Sequence, residues 1–97
     1  MIVAPVGEAE AEIAEAVEFH QTRSAELSQR FLMDLEAAVA KVIQFPHAHP
    51  PLRGGFRRIL LARFAYQIVY RVEGDTIRIY AVAHLKRRPV YWRKRLR

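Results

Sequence analysis

The last fourteen residues, His84-Leu-Lys-Arg-Arg-Pro-Val-Tyr-Trp-Arg-Lys-Arg-Leu-Arg, carry seven Lys or Arg and no acid. His84, Tyr91 and Trp92 stand among the charges. Cations interleaved with aromatic rings can hold a polyanion electrostatically while they stack on it or hydrogen-bond to it. The segment follows directly on strand-like sequence, so it is expected to leave the edge of a sheet. His47 and His49, at i and i+2, invite a metal reading. No acid or cysteine stands near them in sequence, so they read as surface histidines, and no metal or cofactor is implied.

The charge is unevenly placed. Residues 1–50 hold three basic and eight acidic groups, a net of −5, whereas residues 51–97 hold thirteen basic and two acidic ones, a net of +11. Such a division creates a steering field that suits nucleic acid or an acidic protein partner. The alternative is a surface kept soluble by its charge, but the bias is concentrated rather than scattered. The chain has no cysteine, which excludes a disulfide scaffold and cysteine-based zinc sites. No apolar run approaches the ~20 residues needed to span a bilayer. The glutamates at 8, 10 and 12 come too early for a secretory signal, so the expectation is a cytoplasmic protein without a membrane partner.

The elements that must position these residues are legible in outline. Ninety-seven residues make one domain with one modest core. Ile2, Val3 and Ala4 suit a short strand, stopped by Pro5 and Gly7. From Glu8 the residues favour a helix, with Ala9, Ile13, Ala16 and Val17 at helical spacing and acids near its start. His20-Gln21-Thr22-Arg23 interrupts the pattern, and Ser24 or Thr22 can cap a second helix. There Leu27, Phe31, Leu35, Ala38, Val42 and Phe45 form one stripe, widened by Val39 and Ile43, until Pro46. So short a connection implies an antiparallel hairpin over about 8–45. A stiff linker follows. Beyond Gly54-Gly55 the period becomes strand-like in 56–63, 66–72 and 76–84, a meander rich in Ile, Val, Leu and Tyr. The fold class is α+β: an N-terminal short strand and a helical hairpin packed on one face of a three- to four-stranded, mainly antiparallel sheet (about 56–84), with a basic tail at 85–97. Pro89 argues against one continuous helix in that tail.

Register follows from the hydrophobic pattern. A two-residue turn at Gly74-Asp75 sets Glu73 against Thr76, Val72 against Ile77, Tyr70 against Ile79 and Ile68 against Ala81, all on one apolar face. The same step at Phe64-Ala65 sets Ile59 against Tyr70 and Leu61 against Ile68. The other face then carries a row Arg58, Arg71, Arg78, a row Leu60, Val69, Tyr80, and a row Ala62, Gln67, Val82. Like charges across strands are unfavourable, so three arginines abreast call for an anion, unless they splay into water over the apolar row. Leu60, Val69, Tyr80 and Val82 form an apolar strip expected to lie open to a partner.

The meander carries Arg63-Phe-Ala-Tyr-Gln-Ile-Val-Tyr-Arg-Val72 and Ile79-Tyr-Ala-Val-Ala-His84, followed by Arg87, Arg88, Pro89, Tyr91 and Trp92. With the preceding strand, hairpin and linker, this resembles the RelE/ParE superfamily of toxins from type II toxin–antitoxin (plasmid stabilisation) modules, and the ParE branch in particular. Ala65 departs from the proline of many members. The resemblance implies a basic growth-arresting toxin neutralised by a cognate antitoxin, ParD-like or related, whose acidic, apolar tail wraps it. The surface for antitoxin or target is then expected at Arg58, Leu60, Val69, Arg71, Arg78, Tyr80, Val82, Arg87, Arg88 and Trp92.

Two activities occur in that superfamily: inhibition of DNA gyrase by ParE-like members, and cleavage of mRNA on the ribosome by RelE-like members. A metal-independent endoribonuclease needs a base, an acid and cations around the phosphate. His84 could be base or acid, with Arg58, Arg71, Arg78, Arg87 or Arg88 as cations and Tyr91 stacking or donating. His84 could equally do no more than end its strand. The long helical hairpin favours the gyrase branch. A non-toxic nucleic-acid-binding module is a further alternative, but both helices are acidic outside, which leaves no recognition helix for a major groove.

Overall fold

The computed structural model describes residues 1–87 and 90–96. A short strand β1 (Ile2–Pro5) leads into helix α1 (Gly7–Gln21) and helix α2 (Ala25–Gln44), then strands β2 (Phe56–Leu60), β3 (Tyr66–Glu73) and β4 (Thr76–His84), and a closing 3-10 turn over Tyr91–Arg95. The chain leaves α1 through amides of Arg23 and Ser24 bonded to the His20 carbonyl. Ser24 then caps α2, its hydroxyl accepting from the Leu27 amide at 3.0 Å. The buried side of α2 runs through Ser28, Phe31, Asp34, Leu35, Ala38 and Val42. Phe45, expected in that stripe, is 57% exposed, because the helix stops before Pro46 and the backbone swings out at φ −138°.

The strand order is β1-β4-β3-β2, with β1 parallel to β4 and the other pairs antiparallel. Gly74 takes a φ of 61° at the β3–β4 turn, a conformation that glycine adopts without a Cβ clash. Glu73–Thr76, Val72–Ile77 and Tyr70–Ile79 pair as the pattern requires. Ile68, however, meets Val82 rather than Ala81. The ladder steps at Tyr70–Ile79 to Val69–Ala81, so Tyr80 is an extra residue in β4. Such a bulge re-aims side chains on either side of it.

The β2–β3 register also differs from the expectation. Ile59 pairs with Ile68, and Tyr70 faces Arg57. This slip of two residues preserves which side chains face the helices, since the side-chain period is two. Its cause is a longer loop. Phe64 tucks its ring 5.3 Å from Phe31 and 5.0 Å from His20. Asp34 accepts from the Arg63 and Phe64 amides, each at 2.9 Å. The main core lies between the hairpin and the sheet, from Phe31, Leu35 and Val42 to Ile59, Ile68, Ile77 and Ile79. The Tyr70 hydroxyl reaches the Pro46 carbonyl at 2.7 Å and ties the sheet to the end of α2.

Candidate functional site

The sheet face away from the hairpin differs from the expected arginine row. Arg71 lies between Phe56 and Arg78, while Arg58 faces Val69. An anion is present within the chain. The Arg71 Nε lies 2.9 Å from a Glu73 carboxylate oxygen, and the Tyr80 hydroxyl donates to the same oxygen at 2.6 Å. The guanidinium of Arg71 also lies over the Phe56 and Tyr80 rings. The Tyr80 hydrogen bond, followed by Arg71, holds the Glu73 carboxyl below its usual range. Burial and then Glu73 raise the Tyr80 hydroxyl. Arg58 is exposed, with a 3.4 Å contact to Gln67, and Arg78 is half-buried.

The expected open apolar strip is closed in this structure. Val69, Tyr80 and Val82 are at most 2% exposed, and only Leu60, at 50%, stands in solvent. Two causes account for it. The bulge aims Tyr80 beside Phe56, with ring centres 5.2 Å apart, and sets Val82 against Ile68 on the hairpin side. The basic tail then folds back. Trp92 is 3% exposed, with its ring centre 4.5 Å from that of Phe56. Expected at the surface, Trp92 is instead buried as part of the hydrophobic core.

One carboxylate holds the tail. Glu12 is buried on the sheet side of α1, in line with Ala9, Ala16 and His20. Its Oε1 accepts from the Val82 amide at 3.0 Å and from Arg95 Nη1 at 2.8 Å. Its Oε2 accepts from Arg95 Nη2 at 3.1 Å and from the Tyr91 hydroxyl. Arg87 approaches to 3.6 Å and stacks on Tyr91. Arg95 Nη1 also donates to the Tyr80 carbonyl at 2.9 Å. Burial opposes the Arg95 charge, but the Glu12 hydrogen bonds and charge outweigh it and raise its pKa. Burial first, and then Glu12, push the Tyr91 hydroxyl well above its ordinary range, so it stays a donor.

Glu12 was hidden among the glutamates at 8, 10, 15 and 18. Its signal was position, since it falls three residues after Ala9 and four before Ala16, on the stripe facing the sheet. His20 lies on the same stripe, stacked on Phe31, its Nδ1 2.7 Å from the Ala16 carbonyl.

Among the described candidate nuclease residues, Arg58 and Arg78 stand away from His84. His84 is exposed at the end of β4, its Nδ1 taking the Lys86 amide and its ring 5.3 Å from Tyr66. Arg78 lies six residues back along the same strand, roughly 20 Å away at the usual rise. Arg58 projects from β2, and Tyr91 is committed to Glu12. Among the described candidates Arg87 joins His84, in a cavity of about 270 Å³ also lined by Glu12, Glu15, Phe19 and Tyr66. Arg88 lies outside the described residues. Among the described residues, no cluster of three potential metal ligands occurs, and no helix is long and apolar enough to cross a membrane.

The family model for the ParE toxin of type II toxin–antitoxin systems, parDE, matches residues 7–89. The chain belongs to the ParE toxin family. No curated protein matches it. Among solved structures, it is similar to a chain of the chromosomal ParDE toxin–antitoxin system from P. aeruginosa, with a TM-score of 0.74 and 19% identity over 87% of this chain and 95% of that one. It is also similar to the isolated E. coli RelE toxin, with a TM-score of 0.56 and 14% identity over 96% and 93% of the two chains. Both likenesses are in the fold: two helices on a four-stranded mixed sheet with an N-terminal strand. For this ParE-type toxin, they agree with the α+β architecture, and the family model agrees with the family to which the meander and tail residues pointed.

Proposed function

We propose that this toxin arrests growth by inhibiting DNA gyrase without cleaving a bond itself, and that a cognate, ParD-like antitoxin neutralises it. The observation that carries the first part is the separation, among the described candidates, of the sheet arginines from His84. His84 and Arg78 stand far apart on one strand, and Tyr91 is spent on Glu12. General acid–base catalysis requires its groups within hydrogen-bond reach of one phosphate. A basic surface that binds a macromolecular target has no such requirement. For the antitoxin, the supporting feature is the cationic outer sheet face, where Arg58 and Arg78 suit an acidic segment. Both partners place the action in the cytoplasm.

Expression of the toxin alone tests this reading. Growth arrest is expected, with relaxed plasmid DNA and DNA-damage signalling. The purified protein is expected to inhibit supercoiling by gyrase in vitro. Intact supercoiling together with codon-linked mRNA cleavage on ribosomes overturns the gyrase assignment in favour of a RelE-like ribonuclease. Normal growth despite folded protein overturns the toxin activity of this copy.

A further inference from the structure

The fold divides the basic tail into two sets of side chains. One set faces inward: Trp92 packs on Phe56, and Tyr91 and Arg95 bond to Glu12. A 3-10 turn has three residues per turn, so Trp92 and Arg95 lie one above the other, and Arg93 and Lys94 are left outside. Both are exposed, as is Lys86 just past β4. Among the described residues, none of these three cations has a carboxylate within ion-pair reach. Arg93 leans on the Trp92 ring at 5.8 Å, and Arg87 stacks on Tyr91 at 4.2 Å, which keeps the end of β4 beside the closing turn. The free cations therefore ride on an anchored backbone, and a ligand that meets them orders little beyond their side chains.

The partner follows from what the fold has withdrawn. Trp92 is buried and Tyr91 is bonded to Glu12, so neither ring is free to stack on an unpaired base. The apolar side chains left exposed nearby, Leu85, Val90 and Leu96, are aliphatic and offer a base no ring face. What remains is charge, which reads phosphate and not sequence. Exposed acids such as Glu10, Glu18 and Glu36 lie on the hairpin, and a chain so divided turns its tail toward a long polyanion. We propose that Lys86, Arg93 and Lys94 form a sequence-independent contact for the phosphates of duplex DNA, through which the toxin holds the DNA on which gyrase acts. The purpose rests on the gyrase reading; the contact itself does not.

Fluorescence anisotropy with the full chain and two fluorescein-labelled duplexes of unrelated sequence tests the contact. Wild type is expected to bind both equally, with a slope of log affinity against log salt of about −3, since each phosphate contributes about −0.9. Arg93→Glu with Lys94→Glu is expected to lose about ten-fold in affinity and about 2 in slope, with circular dichroism and Trp92 emission unchanged. Arg30→Glu with Lys41→Glu removes the same charge from exposed positions on α2. At physiological salt, where screening confines distant charges, this control should stay within about two-fold of wild type. If the reversed charges unseat Trp92, Arg93→Gln with Lys94→Gln tests the same contact, with a smaller loss expected. Unchanged affinity in the tail variants overturns the proposal, and so does an equal loss in the α2 control. Tighter binding to poly-glutamate than to either duplex overturns it in favour of an acidic protein partner. In supercoiling assays the tail variant should need several-fold more toxin for half inhibition, and undiminished inhibition overturns the role on gyrase-bound DNA. Duplex binding by a wild type that leaves gyrase uninhibited overturns the gyrase reading and upholds the contact.

Discussion

Glu12 and Arg95, 83 residues apart in sequence, meet in a two-pronged ion pair with Oε1–Nη1 at 2.8 Å and Oε2–Nη2 at 3.1 Å. Both side chains are nearly buried, at 8% and 12% exposure. The pair joins the first helix to the last turn and closes the β4 edge between them.

Breaking this pair from one side should be costly, because the other charge remains buried. Glu12→Ala is expected to lower unfolding free energy by about 3–5 kcal/mol. Arg95→Ala should cost less, since Glu12 keeps the Val82 amide and the Tyr91 hydroxyl. Urea titration followed by circular dichroism measures both. A Glu12→Ala loss within the error of the method would show that the pair is solvated in solution.

Asp34 offers a second test in the hairpin. Its carboxylate is the acceptor for two loop amides, Arg63 and Phe64. Asp34→Ala leaves both donors without that partner and should cost about 1–3 kcal/mol for each that stays buried. Hydrogen exchange at these two amides should accelerate more than exchange in β3. Equal acceleration across the sheet would instead indicate general destabilisation.

Acid should weaken the Glu73 cluster. Its folded pKa lies below the ordinary 4.5, through the Tyr80 hydrogen bond first and Arg71 next. A depressed carboxyl pKa contributes stability above the unfolded value and loses it as pH falls through the folded one. Wild-type stability should therefore fall more steeply below pH 4.5 than that of Glu73→Gln. Parallel pH profiles for the two proteins would remove Glu73 from this role.

These residues also mark how far the sequence alone reaches. Glu73–Thr76 and Tyr70–Ile79 could be paired from it because apolar and polar residues alternate there, and a one-residue slip would bury Arg71 and Arg78. Past Ile79 the run Tyr80-Ala81-Val82-Ala83 is apolar throughout, so alternation cannot locate an extra residue. The bulge at Tyr80 was invisible for that reason, and with it the inward turn of Val82. Trp92 was legible as an aromatic among charges but not as buried, because its seat combines a β2 residue with the bulged one. The candidate site was therefore readable as a basic face, while its clasp at Glu12 depended on contacts across the whole chain.

Arg58 and Arg78 test the outer face as a binding surface. Arg58→Glu with Arg78→Glu should weaken antitoxin binding at least ten-fold, ~1.4 kcal/mol, with an altered salt dependence. Neither side chain is fully buried, so the melting temperature should stay close to wild type. Isothermal titration with the purified cognate antitoxin at two salt concentrations checks both. Unchanged affinity with an intact fold would show that these arginines are solvated decoration.

His84 separates the two toxic chemistries at one residue. It is exposed, with a main-chain donor on Nδ1 and the Tyr66 ring beside it, and among the described candidates Arg87 shares its cavity. If the toxin inhibits gyrase by binding, His84→Ala should retain most growth arrest when expressed at the wild-type level. If His84 were a general base or acid for mRNA cleavage, its loss should slow the chemistry by about 10²–10⁴-fold. Arrest would then vanish at low induction. His84→Gln is the companion variant: it keeps hydrogen-bonding capacity but cannot shuttle a proton near neutrality. Loss of toxicity in both variants, with folded protein present, would reverse the gyrase assignment. Retention in both would leave His84 as the residue that ends β4.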